Sequence, residues 1–299
     1  MRCLIFGASG QVGGQLASRC RAEKFPWLGT ALRHVRFGLH WLDLRDRSAV
    51  VELVRSFQPD AVFLPAAMTH VDGAEKRPDD CREINVCGTE TVACAVKDTS
   101  ATLVFFSTEH VFPEAPQPCH EDDPLAPMSV YAKTKVEAEQ RVRAILPERH
   151  LILRTSWVYG PEEQGKNFVY RAVRTLRAGQ PLFVPADQCG QPTYGPDLAR
   201  TALDLVRGGH HGTFHVVGPA HLSRLEFARL IATIFELDPG RIVGKPTATL
   251  AQGAPRPLRV CLSDEKVRAA IGREPIRNPV DALRAMRELL PTIPLPDVA

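Results

Sequence analysis

Short apolar runs alternate with amphipathic stretches along this chain, and the alternation sets its predicted elements. Cys3–Phe6 is a continuous apolar run of strand length, too brief for a helix. A helix is expected from Gln11 to about residue 21, then a strand over 28–33 and a third strand-like segment ending before Asp43. Residues 48–58 repeat apolar positions at helical spacing until Pro59-Asp60 stops them. Residues 61–64 read as a strand, 78–97 as one long helix containing Asn85, and 102–106 as a strand. A Pro-rich loop, 113–127, leads into a helix over 130–146 and a strand over 151–154. Strands and helices alternating at these lengths predict an α/β fold, a Rossmann-type doubly wound parallel sheet. Such sheets bind ligands beyond the carboxyl ends of their strands.

The second half is less regular. Helices are expected over 167–178, 196–207, 223–235 and 279–290, with a short one from Ser263. Ser223 and Glu226 stand at capping-box spacing. A strand over 213–217 is expected to rejoin the main sheet. The division that follows is a dinucleotide-binding domain over 1–158, completed by parts of 195–220, and a smaller α/β substrate-binding domain over 159–299. The 25 prolines cluster in the loops of this half, as suits an irregular lid. The tail 291–299, PTIPLPDVA, reads as an extended end.

Composition narrows the class. A chain of 299 residues has room for about two domains. Its 44% apolar and 24% charged content is ordinary for a soluble globular protein. The net charge of +3 is spread over interspersed residues of both signs. That excludes the footprint of a nucleic-acid or membrane-surface binder. No apolar run approaches the ~20 residues of a membrane span, and no leader is expected before the first strand. Eight cysteines include no CxxC pair, and several, such as Cys3 and Cys94, fall on apolar faces. Reduced thiols in a cytoplasmic protein are expected. His210-His211 reads as a solvated turn rather than a metal pair.

The candidate chemistry begins in GASGQVGG. Gly7, Gly10 and Gly13 fall at GxxGxxG spacing between the first strand and the first helix. A sharp turn there needs glycine where the backbone turns left-handed or must touch a phosphate. The helix N-terminus then offers free N–H groups to a pyrophosphate. Dinucleotide folds often hold the ribose hydroxyl with an acid after the second strand, yet residues 27–42 contain none. Arg33 and Arg36 stand there instead. Their guanidinium groups suit a 2′-phosphate, so NADP(H) is expected, with NAD(H) left open. Asp43 is placed to meet the adenine amine, and Ala66 and Ala67 leave room for a planar cofactor. Tyr131 and Lys135, four apart, share one helical face. Thr108 ends a strand that faces the cofactor. A ketone accepting a hydride needs a proton, which Tyr131 can supply if the Lys135 ammonium draws its pKa down from ~10. Thr108 would hydrogen-bond the same carbonyl.

Taken in order, GASGQVG, AAMTHVD, STEHVF, VYAKTK, RTSWVYG, Asn167-Phe168 and DQCGQPT resemble the extended short-chain dehydrogenase/reductases, and among them most the dTDP-4-dehydrorhamnose reductase family. The resemblance spans nearly the whole chain. It implies NADPH-dependent reduction of a nucleotide-linked 4-keto-6-deoxy sugar, with Thr108, Tyr131 and Lys135 as the catalytic set. It places Gln11, Val12, Asp43, Leu44, Ala66, Ala67 and Thr69 at cofactor contacts. Glu109, His110 and Trp157 match sugar contacts, with Asn167 and Arg256 as further substrate-binding positions. Arg256 would take the diphosphate. The family's STDYVF reads STEHVF here, which leaves the hexose open, and Val260 replaces a small polar residue, which leaves the base open. Some family members bind magnesium at a dimer interface; the matching position is Gln15, so no metal is expected, and a homodimer stays open. Two other readings remain: a non-catalytic NADP-binding regulatory subunit resembling that of methionine adenosyltransferase, and another sugar-nucleotide epimerase or dehydratase.

Overall fold

The computed structural model describes residues 1–115 and 117–290. The expected extended tail over 291–299 lies outside the described residues. Seven strands form one sheet, all pairings parallel. In chain order they are β1 (Cys3–Phe6), β2 (Trp27–Ala31), β3 (Leu39–Trp41), β4 (Ala61–Leu64), β5 (Thr102–Thr108), β6 (His150–Thr155) and the strand Gly212–His215. Across the sheet the order runs Gly212–His215, β6, β5, β4, β1, β2, β3. The order reverses next to β1, and a crevice at such a reversal is where this architecture takes ligands. The sequence-derived fold class, a doubly wound parallel sheet, is the fold observed. The strand Gly212–His215 enters from the second half of the chain and pairs with β6, His215 opposite Arg154.

The central strands read as unbroken apolar runs because both of their faces are covered. Cys3, Leu4, Ile5 and Phe6 are all fully buried, as are Ala61, Val62 and Phe63. One face packs α1 (Gln11–Ala22) through Leu16, Ala17 and Cys20. The other packs α2 (Arg47–Phe57) and α5 (Gly88–Lys97) through Val50, Val54, Val92 and Val96. α6 (Val130–Ile145) adds Ala138 and Val142.

The expected strand over 28–33 runs instead from Trp27 to Ala31. It stops at Ala31 because the chain leaves β2 through an exposed loop before β3 takes up the register Gly29 with Leu39. The expected helix over 78–97 is three pieces: α4 (Pro78–Arg82), a π-helical turn (Glu83–Cys87) and α5. Residues 71–76 form a separate helix, α3.

The second half supplies α7 (Phe168–Arg177), α8 (Gly195–Arg207), α9 (Arg224–Ile234), α10 (Glu265–Ile271) and α11 (Pro279–Leu289). The capping box read at Ser223 and Glu226 is present in full. Short strands at Val158–Tyr159, Leu182–Pro185, Cys189–Gly190, Thr193–Tyr194, Leu222–Ser223 and Ile242–Lys245 pair in three small ladders that the sequence did not suggest. The glutamines of DQCGQPT tie this region together. Gln191 donates to the carbonyls of Gly218 and Leu262, and Gln188 donates to Thr247 and Gln252.

Candidate active site

Three elements converge beyond the carboxyl end of β5. Thr108 is the last residue of that strand and caps the short 3-10 turn Glu109–Val111. Its Oγ1 accepts from the His110 N–H at 3.2 Å and donates to Glu109 Oε2 at 3.0 Å. Ser156, just after β6, donates from Oγ to Glu109 Oε1 at 3.1 Å. The Glu109 carboxylate is therefore buried with a hydroxyl on each oxygen. Ser129 caps α6 by accepting from the Ala132 N–H, and the Val130 N–H donates to Glu75 at 2.7 Å. These anchors fix the first turn, so Tyr131 and Lys135 point the same way one turn apart.

The Tyr131 hydroxyl is buried at the end of β5, close enough to feel the Thr108 side chain and the Glu109 carboxylate. The His110 ring meets the Tyr131 ring edge-on, centroids 6.3 Å apart. Lys135 is 2% exposed, with Nζ 3.8 Å from the centroid of Phe105 on β5. Burial acts on both groups. It raises the phenol's pKa, the Glu109 charge raises it further, and the Thr108 side chain only partly opposes them. Burial lowers Lys135 to about 7, with the Glu139 carboxylate pulling the other way. The expectation that Lys135 draws the phenol's pKa down is thus not met. A desolvated amine near neutrality carries less charge with which to do it.

Asn85, from the π-helical turn, ties two parts of the site. Its Oδ1 accepts from the Met68 N–H at 2.7 Å, and its Nδ2 donates to the Met68 carbonyl and to Thr134 Oγ1. Thr134 lies between Tyr131 and Lys135 on α6. Glu139 lies one turn beyond Lys135, fully buried, and takes both Nε and Nη2 of the buried Arg154 at 3.1 and 2.8 Å. Sequence reasoning passed over Asn85, Ser156 and Glu139 as functional positions. Only Glu139 left a signal, the fourfold spacing from Tyr131 through Lys135.

The glycine loop closes against β1 and β4. Gly7 has φ +90°, and a Cβ there would lie 2.9 Å from the Ala66 Cβ. A Cβ on Gly13 would lie 2.1 Å from the Gly7 carbonyl oxygen. Gly10 caps α1 without a side-chain hydrogen bond, and the first turn holds no acid, so its N–H groups are free for an anion. Gln11 donates to the Val158 carbonyl at 3.0 Å, Gln15 to that of Pro161, and Gln164 to that of Ser9 at 2.8 Å. The loop after Tyr159 is thereby strapped over the glycines. Val12 packs on the core. Arg36 pairs with Glu163 across the same gap, whereas Arg33 is exposed. Asp43 is held by the Arg45 guanidinium, which lowers its pKa, and Leu44 is buried. Ala66 and Ala67 are half-buried and Thr69 is exposed.

Of the substrate-side residues, Thr108, Glu109, His110 and Tyr131 are brought together. Asn167 is committed to capping α7: Oδ1 accepts from the Val169 N–H, and Nδ2 donates to the Gly160 carbonyl and Glu162. Arg256 donates to Asp72 on α3 at 2.6 Å. Trp157, with φ +41°, has the Arg224 guanidinium 3.3 Å over its ring. Gly190 packs so closely that a Cβ there would lie 2.5 Å from the indole. The open indole face expected for a pyranose is therefore occupied by Arg224. Among the described residues no group of three or more His, Cys, Asp or Glu side chains is placed to hold a metal.

Fold and site together define a Rossmann-type protein of the extended short-chain dehydrogenase/reductase kind. The family described as RmlD substrate binding domain matches residues 1–288, and the chain belongs to it. It is 33% identical over 290 residues to a dTDP-4-keto-6-deoxy-D-glucose reductase from Streptomyces niveus, covering 97% of each chain. Among solved structures it resembles a dTDP-4-dehydrorhamnose reductase from Clostridium acetobutylicum, at 30% identity and a TM-score of 0.88, covering 97% of this chain and all of that one. It likewise resembles the Bacillus anthracis dTDP-4-dehydrorhamnose reductase in complex with NADP, at 30% identity and a TM-score of 0.87, covering 95% of this chain and 98% of that one.

Proposed function

We propose that this protein reduces the 4-keto group of a nucleotide-linked 4-keto-6-deoxy sugar with NADPH, Tyr131 giving the proton. One observation carries the reading: a buried phenol, Tyr131, edge-on to His110 beside Thr108 and Glu109 at the carboxyl end of β5 and one helical turn from the buried Lys135, in a chain of this family. The relatives' names supply the substrate class, and the B. anthracis complex supplies the cofactor. The uncapped N-terminus of α1 and the close Gly7–Gly13 packing fit a dinucleotide pyrophosphate.

NADPH, when bound, supplies the hydride that forms the new C–H bond at the sugar carbonyl carbon. The carbonyl electron pair moves onto oxygen, and Tyr131 donates its proton there, so ketone, hydride and proton give the alcohol. Thr108, the last residue of β5, eases the proton's departure by favouring the phenolate. Glu109 keeps the phenol protonated until an alkoxide develops. Lys135, lowered to about 7 by burial one turn along α6, would return a proton to the phenolate and hold the nicotinamide ribose. Eight cysteines with no disulfide among them suit a cytoplasmic protein.

The test is NADPH oxidation by the purified protein with dTDP-4-keto-6-deoxyglucose and its 5-epimer, the products identified by mass and NMR. A 4-hydroxy product with stoichiometric NADP⁺ supports the reading. Tight NADP⁺ binding with no oxidation of NADPH by either sugar would move it to a non-catalytic subunit.

A further inference from the structure

α3 (Val71–Lys76) is six residues long, too short a helix to hold itself in water. Two of its acids reach other parts of the chain. Asp72 Oδ1 accepts from the Ala254 N–H at 2.9 Å and from Arg256 Nη2 at 2.6 Å. Their side chains are 28% and 14% exposed, so this ion pair is partly shielded from solvent. Glu75, three residues on and on the same side of the helix, accepts at Oε1 from the Val130 N–H at 2.7 Å. Between the two acids, Ala74 shares one buried cluster with Cys81 and Tyr131, and Val71 and Val130 pack against it.

Each end of this bridge has a consequence. Val130 is the first residue of α6, and its N–H is one of the donors that a helix start cannot satisfy internally. Ser129 serves Ala132, whereas Val130 is served from α3, by a charge that suits a helix N-terminus. Tyr131 is the next residue, so the acid that fixes the start of α6 fixes the backbone of the phenol. At the other end, the segment 247–258 is a strap held by both halves of the chain. Thr247 donates its N–H and Oγ1 to Asp187. The Leu258 N–H donates to Glu114 at 2.8 Å, and the Leu258 carbonyl accepts from the Cys189 N–H at 2.7 Å. Arg256 lies within that strap, and what it grips is α3. A contiguous path of hydrogen bonds and packed groups therefore runs from Arg256 through Asp72 and Glu75 to Val130. We propose that Asp72 and Glu75 are positioning residues for the proton donor: through α3 they carry the seating of the strap to the first turn of α6 and hold Tyr131 in place. The proposal rests on the reductase reading of the site.

The test is amide hydrogen exchange of the NADP⁺-saturated protein, read on peptides covering 130–135 and 254–258, beside steady-state NADPH oxidation with dTDP-4-keto-6-deoxyglucose. Arg256→Gln touches neither Glu75 nor α6. It is expected to speed exchange in both peptides and to lower kcat at saturating sugar, each by about tenfold, as for one lost charge-assisted hydrogen bond. Asp72→Asn breaks the same pair from the other side, so it carries the test if Arg256→Gln unfolds in thermal denaturation. Glu75→Leu is expected to speed exchange at 130–135 and lower kcat likewise. Glu75→Gln, which still offers an oxygen to the Val130 N–H, is expected to restore both. Wild-type exchange at 130–135 in folded Arg256→Gln and Asp72→Asn overturns the coupling. A loss confined to KM for the sugar also overturns it, because Arg256 then acts on the substrate directly. Faster exchange at 130–135 in these variants, in a protein that reduces no nucleotide sugar, keeps the bridge and removes the reductase reading.

Discussion

Gly13 and Gly14 are neighbours on the first turn of α1, and alanine at the two positions should have opposite consequences. A methyl group on Gly13 falls 2.1 Å from the Gly7 carbonyl oxygen and 2.8 Å from its carbonyl carbon. Both atoms are backbone, in a loop that Gly7 turns at φ +90°, so no side chain can swing aside. Since real Cβ contacts are not closer than 3.0 Å, α1 must move away by nearly 1 Å. Overpacking of this kind costs about 1–3 kcal/mol. A methyl group on Gly14 meets only the Ala8 carbonyl oxygen, at an ordinary 3.7 Å. Each substitution gains about 0.5–1 kcal/mol from alanine's lower conformational entropy in a helix, and this gain cancels in the comparison. The difference between the variants therefore isolates the overpacking, about 1–3 kcal/mol, each worth roughly 2–4 °C or somewhat less in a chain of this size. Thermal denaturation should rank Gly14→Ala at or above wild type and Gly13→Ala below it. NADP⁺ titration should follow the same order, because displacing α1 moves its free N–H groups from the pyrophosphate. Equal melting temperatures and equal NADP⁺ affinities for the two variants would refute the close Gly7–Gly13 packing and the phosphate cradle built on it.

Tyr131→Phe should keep NADP⁺ affinity and lose about 10²–10⁴ in kcat, the range for an absent general acid, as followed by NADPH absorbance; undiminished turnover removes the mechanism. Glu109→Gln removes a charge that raises the phenol's pKa, so the alkaline limb of the reduction profile should shift to lower pH; a shift upward contradicts the assignment. Lys135 is lowered to about 7 in the fold, below its unfolded value of 10.5. Below pH 7 both states hold the proton and the burial penalty is complete; above it the unfolded state binds more protons, so stability rises with pH. Lys135→Met should flatten that rise in urea titrations run from neutral to alkaline pH. Asn85→Leu strands the Met68 amide and carbonyl at about 1–3 kcal/mol for each buried group, and should lower both the melting temperature and kcat.

The main sheet was legible because a strand buried on both faces is written as an unbroken apolar run, as in Cys3–Phe6 and Ala61–Leu64. The small ladders of the second half were not. Cys189–Gly190 and Leu222–Ser223 are two residues each, and their pairing is set by long-range bonds such as Gln191 to Leu262, which leave no local period. The π-helical turn also escaped, since one extra residue per turn hardly disturbs a helical pattern. The same holds for the site. Tyr131 and Lys135 were readable from helical spacing, and Thr108 from its place at a strand end. The positions of Asn85 and Ser156 depend on where the chain is brought back, from 49 residues away for Asn85 to Thr134 and from 47 for Ser156 to Glu109. Nothing in the spacing places Arg224 on Trp157, because that contact joins α9 to the turn after β6.

The charge pattern around Tyr131 bears on the direction of the reaction. In the proposed mechanism reduction consumes a phenol proton, and oxidation of the alcohol consumes a phenolate. Burial and Glu109 both oppose the phenolate, while a lysine lowered to about 7 offers it only a partial counter-charge. The ground state is therefore the acid form that reduction requires, and the proton leaves only when the alkoxide, a stronger base than any phenolate, appears beside it. The Glu109 carboxylate is fixed in this place because Thr108 and Ser156 each donate to one of its oxygens.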